Sequence, residues 1–389
     1  MSLRIGIKIP NITVICAVLI FNAPFVFADS SSLYFPPAKG IWETVSLDKS
    51  GWNIAKLNTA MNYAGEQNSS GVVILFCGRI LAEQYWKLKS AEDERSLYKY
   101  MLVKSTSDGR SIEDVASVQK SVVSFLAAIA REQGKLDLDH TVSSYIGNGW
   151  SKASPEQESS IKVRHLMSMT SGLNESLNYL YPAGTVWEYN TRAYSMMVPV
   201  LTKSTNMDIN QLTYKWLASP VGMYESRWEP RKWVQNHHAA NTIGFATSAR
   251  DLARFGLLVL AEGKWNRDAV LKNSKYLLDA LQPSQNLKKS YGLLWWRIGP
   301  DNAVAALGKL SRIVYVVPNK KIVIVRLGDK TDQKPSIFTK VVVTSTYLQF
   351  WSICDCGKQI FITLRIRNQI VSNFRFFNYS VLVGFGCLQ

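Results

Sequence analysis

Residues 116–136 read ASVQKSVVSFLAAIAREQGKL. At helical spacing Val118, Val122, Phe125, Leu126 and Ile129 make an apolar stripe, so the segment predicts a helix with one face in a core. Gly134 ends it, as glycine commonly does just past a helix terminus. Two polar residues, Ser117 and Lys120, open this otherwise apolar element. Positions three apart share a helix face, and the free backbone N–H groups and positive dipole end of the first turn point into the same space. A neutral hydroxyl is a weak nucleophile that needs a base. Lysine serves when burial and positive neighbours lower its pKa, and the N–H of Ser117 can help hold a developing oxyanion. A serine and a lysine in S-x-x-K spacing also recur by chance, and taken alone they read as a helix cap followed by a solvated lysine.

Two later segments add weight. YPAGTVWEYNTRAY (181–194) carries Tyr189, with Asn190 beside it. A phenol next to an ammonium can relay protons, and the positive charge is expected to favour phenolate. Asn190 is a candidate substrate-binding residue. AALGKLSRIVYVVP (305–318) places Gly308 at a strand end, where a missing side chain would let a substrate approach the strand edge. Gly308 is therefore a second candidate substrate contact, and the next N–H, that of Lys309, can complete an oxyanion hole. Other chemistries find less support. The four histidines, His140, His165, His237 and His238, fall in no H-E-x-x-H, and no G-x-S-x-G elbow is present, which argues against a zinc protease and a Ser-His-Asp hydrolase.

The chain has 389 residues, 47% of them hydrophobic, enough for one large domain or two intimate ones. Residues 1–28 read as an export signal: Arg4 and Lys8, then NITVICAVLIFNAPFVFA, with Val26 and Ala28 at the cleavage position before Asp29. Its apolar run is short for a bilayer span, so the expected protein is exported, periplasmic or secreted, with no transmembrane span after cleavage. The formal charge is +16. The basic residues are scattered, with no aromatic-interleaved basic motif, which argues against nucleic acid as a partner. Cys77, in GVVILFCGRILAEQYW, reads as a small buried residue. Cys354 and Cys356 have no partnering His or Cys cluster nearby, so a zinc site is not expected, and acyl transfer through serine and lysine needs no metal or organic cofactor.

A helix is predicted at about 53–66, then a hairpin of GVVILF and RILAEQYW across Cys77-Gly78, then a polar loop over 87–112. From 137 to 240 the pattern is short helices and turns without a convincing strand. TSARDLARFGLLVLAE (247–262) is amphipathic. YGLLWWRI, NAVAALG, RIVYVVP and KIVIVRLGD read as successive strands, with Pro318-Asn319-Lys320 the tightest turn between them. One sheet is thus expected from both ends of the chain (about 51–136 and 241–350), with a helical lobe at about 137–240, all within a domain spanning 29–350. Residues 351–389 show neither clean periodicity nor a capped element and are left as an atypical tail of unknown order.

The order of these segments, ASVQKS, GKLDLDHTVSSYI (134–146), IKVRHLMSMTSGL (161–173), GTVWEYN (184–190), ATSARDLARFG (246–256), YGLLWW (291–296) and ALGKLSRIVYVVP (306–318), resembles the serine β-lactamase-related family. That family includes class C β-lactamases, penicillin-binding DD-peptidases, related esterases and 6-aminohexanoate-dimer hydrolase. The resemblance implies an α/β (α+β) β-lactamase/transpeptidase-like fold, an antiparallel sheet flanked by helices plus a mostly helical lobe. It also implies Ser117 as acylated nucleophile, Lys120 as its base partner, Tyr189 as the motif tyrosine, and the N–H groups of Ser117 and Lys309 as oxyanion hole. Two positions depart from the family pattern. Thr191 stands where the Y-x-N motif has asparagine, and Ala306 stands where the third motif has lysine or histidine. The expectation is therefore an exported serine hydrolase of small amides or esters, closest in type to 6-aminohexanoate-dimer hydrolase or an esterase. The alternatives are a true β-lactamase or DD-peptidase, and a non-catalytic binding or sensor protein of the same fold.

Overall fold

The computed structural model describes residues 33–47, 52–231, 234, 241–298 and 302–331, together with the backbone of 354–355 and 358–359. The proposed signal segment and nearly all of residues 351–389 lie outside the described residues. The chain divides into two units, 1–350 and 351–389. In the second, the described part is an antiparallel pair at 354–355 and 358–359.

The first unit begins with α1 (Ile54–Glu66), β1 (Ser69–Phe76), β2 (Arg79–Tyr85), α2 (Leu97–Met101), β3 (Leu102–Ser105), β4 (Ser111–Asp114) and α3 (Gln119–Glu132). The middle of the chain is a run of short helices: α4 (Ser143–Ile146), α5 (Pro155–Glu158), α6 (Val163–Met167), α7 (Thr191–Ser195), α8 (Met197–Thr205), α9 (Ile209–Thr213) and α10 (Ser219–Val221). Then come β5 (Arg227–Pro230), β6 (Ile243–Thr247), α11 (Ala249–Leu260), the two-residue pair β7 (Lys264–Trp265) and β8 (Asp268–Ala269), and α12 (Lys275–Leu281). The chain returns to the sheet through β9 (Trp296–Arg297), β10 (Val304–Gly308), β11 (Arg312–Val317) and β12 (Ile322–Gly328).

The main sheet has the order β2-β1-β12-β11-β10-β9 and is antiparallel throughout. It closes the two ends of the chain on each other, with Val73 paired to Val325. Side chains alternate across the sheet with the period of two that a strand imposes. Val73, Ala306, Val314 and Val325 join the core that contains α3 and α11. Val72, Ile74, Ala305, Ile313 and Ile324 join a second core under α1. Burial on both faces explains why these strands read as nearly continuous apolar runs. Gly256 lets α11 lie close on the sheet: a Cβ there would come within 2.4 Å of the Val323 side chain.

Four features differ from the sequence expectations. Helix α3 is buried on every side from Gln119 to Ala130, not along one stripe. It ends as expected at Gly134 (φ +67°), with Lys135 N–H bonded to Ala130 O at 2.8 Å and Gly134 N–H to Arg131 O at 3.0 Å, the paired bonds of a Schellman stop. Residues 87–112 are not a plain loop, and β5 lies within the region expected to lack strands. Together β3, β4, β6 and β5 form a second antiparallel sheet in the order β3-β4-β6-β5, whose strands of four or five residues are too short to show a period. YGLLWWRI is mostly turn, with only Trp296–Arg297 in the sheet. Two of its carbonyls are taken by α3 instead, Leu294 O by Ser121 Oγ at 2.8 Å and Leu293 O by Ser124 Oγ at 2.7 Å. Finally, Cys77 is buried as read, but as half of a disulfide and not as a thiol.

Candidate active site

The short strand β4 delivers the chain to a tight 3₁₀ turn, Ala116–Val118, that runs directly into α3. Ala116 adopts φ +50°, a left-handed conformation that costs a non-glycine residue roughly 1–2 kcal/mol. Its N–H is held by Asp114 Oδ1 at 2.9 Å, and Asp114 is itself paired with Arg231 at 2.7 Å in a nearly solvent-free ion pair. Between buried Ala116 and Val118, Ser117 alone on this turn retains access to solvent. The sequence favours this turn because Asp114 is placed to bond the backbone two residues on, and because alanine is small enough for a crowded left-handed position.

Lys120 Nζ lies 2.9 Å from Ser117 Oγ and 3.3 Å from Thr191 Oγ1. The lysine is 2% exposed, and burial, reinforced by the charge of Arg231 and opposed by that of Glu175, lowers its pKa from 10.5 to about 7. Its ammonium position also sits over the rings of Tyr194 (4.5 Å) and Tyr189 (5.0 Å). A group with this pKa is substantially a neutral amine near pH 7, which is what a general base requires.

Tyr189 shares the pocket, its ring stacked on Trp296 at 5.9 Å and edge-on to Tyr291 at 6.3 Å. Burial raises its pKa, hydrogen bonding to Ser117 acts the other way, and Glu175 adds to the rise. The expectation that a neighbouring ammonium would favour phenolate is therefore corrected. Desolvation dominates, and the lysine is the partner that gives up its charge. Tyr189 reaches neutral pH as a phenol, able to donate a proton.

Gly308 ends β10 against the nucleophile turn: a Cβ there would lie 2.4 Å from Val115 O and 3.1 Å from Val118 Cγ2. Its glycine is thus needed for close backbone approach between β10 and the turn. Lys309 follows in the three-residue connection to β11. Two buried arginines hold that connection by its carbonyls. Arg312 Nη1 donates to Lys309 O at 3.1 Å, and Arg326 Nη1 donates to Leu310 O and Ser311 O at 3.0 Å. Arg312 is tied in turn to Glu113 on β4 at 2.8 Å, both side chains fully buried. The two elements carrying the oxyanion candidates are therefore locked together.

The Asn190 side chain is engaged within the fold. It caps α7, accepting Ala193 N–H at 2.8 Å, while its amide donates to Leu173 O at 2.6 Å, and it is 2% exposed. Ala306 is buried at 1% on the α3 face of the sheet, so no cation occupies that position. Sequence reading missed Arg231, which is 111 positions after Lys120 and has no local signal. It also missed Gln119, which accepts from Arg231 Nη2 at 2.6 Å and Phe245 N–H at 3.1 Å. Glu175, which accepts Thr191 N–H at 2.9 Å, was missed too. The histidines are elsewhere: His165 Nδ1 accepts Lys162 N–H at 3.1 Å, and His237 and His238 lie outside the described residues. Among the described residues there is no cluster of three or more His, Cys, Asp or Glu able to hold a metal, and no helix long and apolar enough to cross a membrane.

The family model described as Beta-lactamase matches residues 63–338. The chain belongs to the beta-lactamase family. This member is 22% identical over 314 residues to an uncharacterised protein of Alkalihalophilus pseudofirmus, covering 70% of this chain and 86% of that one. Its fold is similar to a candidate 6-aminohexanoate-dimer hydrolase from Bacillus anthracis (TM-score 0.56, 17% identity, 83% of this chain and 89% of that one). It is also similar to an octameric penicillin-binding protein homologue from Pyrococcus abyssi (TM-score 0.56, 16% identity, 75% and 77%). A third similar structure is EstCE1, a hydrolase with promiscuous acyltransferase activity (TM-score 0.56, 14% identity, 75% and 98%). The antiparallel sheet flanked by helices is thus the β-lactamase/transpeptidase-like fold.

Proposed function

We propose that this beta-lactamase-family protein is a serine hydrolase that cleaves a small amide or ester through an acyl-enzyme on Ser117. The observation that carries the reading is the 2.9 Å contact between Ser117 Oγ and a buried Lys120 whose pKa is lowered to about 7. Neutral Lys120 takes the hydroxyl proton as Oγ bonds to the carbonyl carbon. The N–H groups of Ser117 and Lys309 receive the oxyanion. As the tetrahedral intermediate collapses, the bond to the leaving amine or alcohol breaks, and Tyr189 hands that group a proton that Lys120 resupplies. A water then attacks the acyl-enzyme by the reverse proton path, releasing the acid and freeing Ser117. Small-molecule substrate is the only partner this chemistry needs.

A buried methyl at Ala306 favours an amidase or esterase over a true β-lactamase or DD-peptidase, whose motif cation meets the substrate carboxylate. Export rests on residues 1–28, and the mass of the mature N-terminus tests it. The hydrolase reading is tested with a fluorophosphonate probe and peptide mass spectrometry. Label on Ser117 that is lost in Ser117→Ala is expected, and absence of label, or equal label in the variant, overturns it. Label without turnover of any ester or amide would favour the non-catalytic reading, and rapid nitrocefin turnover would restore the β-lactamase.

A further inference from the structure

We propose that Arg326 is a positioning residue for the oxyanion hole, holding a strained turn so that the Lys309 N–H is fixed for the oxyanion; this rests on the serine hydrolase reading. The turn is the connection from β10 to β11. Leu310 and Ser311 adopt φ +62° and +59°, the left-handed region that hairpin turns usually give to asparagine or glycine because a Cβ is crowded there. Such residues persist in that region only where the surroundings hold them. Arg326 Nη1 donates to both of their carbonyls at 3.0 Å, and Arg312 Nη1 takes the carbonyl of Lys309 at 3.1 Å. Every carbonyl of the connection is thus bonded to a guanidinium. On the other side of Lys309, Gly308 is paired with Arg312 and packed against the Val115 carbonyl of the nucleophile turn.

Arg326 reaches the turn from β12, where it pairs with Ile313, and it is 1% exposed. Its Nη2 donates to Gln67 O at 2.7 Å, Asn68 O at 3.1 Å and Asp329 O at 2.9 Å, and its Nε to Ser69 Oγ at 2.9 Å. These bonds fix the guanidinium to the turn before β1 and to the end of β12, so the strained connection is held from the rigid end of the sheet. Among the described residues, its hydrogen-bond acceptors are carbonyls and one hydroxyl, with no carboxylate. A buried cation bonded only by neutral groups is expensive where an apolar side chain could pack. The two bonds to Leu310 and Ser311 supply a reason for keeping it, since they set the backbone that carries an oxyanion donor.

The test acylates the full chain with p-nitrophenyl acetate and with its thiono analogue, in which sulfur replaces the carbonyl oxygen. In both, the bond from Ser117 Oγ to the carbonyl carbon forms, the bond to p-nitrophenolate breaks, and the hydroxyl proton goes to Lys120. Sulfur is the poorer hydrogen-bond acceptor, so the ratio of oxygen to thiono rates reads the oxyanion hole. Arg326→Lys keeps the charge, but one ammonium cannot serve both groups of carbonyls as the planar fork does. Its maximal rate of p-nitrophenolate release per site, with sites counted by fluorophosphonate titration, is expected to fall about 10²-fold, the effect of a misplacement of about 1 Å. The half-saturating ester concentration is expected to stay unchanged, and the oxygen-to-thiono ratio to fall toward that of hydroxide. Adding Leu310→Asn and Ser311→Gly, a pair that favours the left-handed turn unaided, is expected to restore most of the rate and the ratio. Because the ratio is taken within one variant, a partly folded sample does not mimic the effect. An unchanged rate in Arg326→Lys, a fall with the ratio unchanged, or no recovery in the triple variant overturns the proposal while leaving the hydrolase reading standing. Release by the wild type no faster than by Ser117→Ala overturns both.

Discussion

Replacing Lys120 with methionine should abolish Ser117 chemistry and at the same time stabilise the fold. The lysine is 2% exposed and its pKa falls from 10.5 to about 7. A base whose folded pKa is depressed binds fewer protons folded than unfolded between those two values. Stability therefore rises with pH across that window, and below pH 7 the whole penalty is present. At about 1.4 kcal/mol per unit the total is about 5 kcal/mol, of which about 4 remains at pH 7. Methionine fills a similar volume without the charge. It loses the bonds to Ser117 and Thr191, each of net value about 0.5–1.5 kcal/mol, leaving an expected gain of about 2 kcal/mol at pH 7. Urea denaturation of both proteins at pH 7 and pH 9.5 is the assay. The advantage of Lys120→Met should shrink by about 3 kcal/mol at the higher pH, because only about 1 kcal/mol of the wild-type penalty survives there. A variant less stable than wild type at pH 7, or a difference that does not change with pH, would refute the argument that Lys120 is held partly neutral by its surroundings.

Gly308→Ala places a Cβ 2.4 Å from the Val115 carbonyl; it should cost about 1–3 kcal/mol by overpacking and slow phosphonate labelling of Ser117 beyond what the folded fraction, measured by thermal denaturation, accounts for. Glu113→Gln leaves Arg312 buried without its countercharge and should lower stability by about 3–5 kcal/mol in urea titrations. Asn190→Ala removes the cap of α7 and should cost about 0.5–2 kcal/mol in urea titrations.

The parts of the fold that were legible are those whose pattern is local. Strands buried on both faces announce themselves as apolar runs, and β10, β11 and β12 fall where NAVAALG, RIVYVVP and KIVIVRLGD placed them. Helix α3 was visible through Val118 to Ile129, with its stop at Gly134. Legibility fails where tertiary partners decide. β4 and β6 are strands because they pair with each other across 132 positions, Asp114 with Ala246. YGLLWW has strand-like composition, yet Ser121 and Ser124 capture its carbonyls. In the site, the spacing of Ser117 and Lys120 conveyed their contact because both lie on one turn. The cap made by Asn190 was not legible for a physical reason: an asparagine next to a helix start is as well suited to capping as to binding, and nothing in its neighbours separates the two.

In the proposed mechanism, Thr191 and Arg231 prepare the Ser117–Lys120 pair for proton transfer. When Lys120 is charged, an N–H of Nζ donates to Ser117 Oγ and the hydroxyl cannot be activated. When it is neutral, its lone pair can accept the Ser117 proton while an N–H still donates to Thr191 Oγ1, 3.3 Å away. The threonine hydroxyl thus orients the amine at the place where the family motif has an amide, and it adds no charge that would pull the lysine pKa back up. The Arg231–Asp114 ion pair acts on both sides of this switch. Its carboxylate holds Ala116 in the left-handed turn that presents Ser117. Its guanidinium, bonded to the Gln119 amide at 2.6 Å, helps keep Lys120 deprotonated. One buried pair therefore holds the turn that presents Ser117 and adds to the burial that lowers the proton affinity of Lys120. This coupling accounts for ionised groups in a core where hydrophobic residues would give equal or better stability.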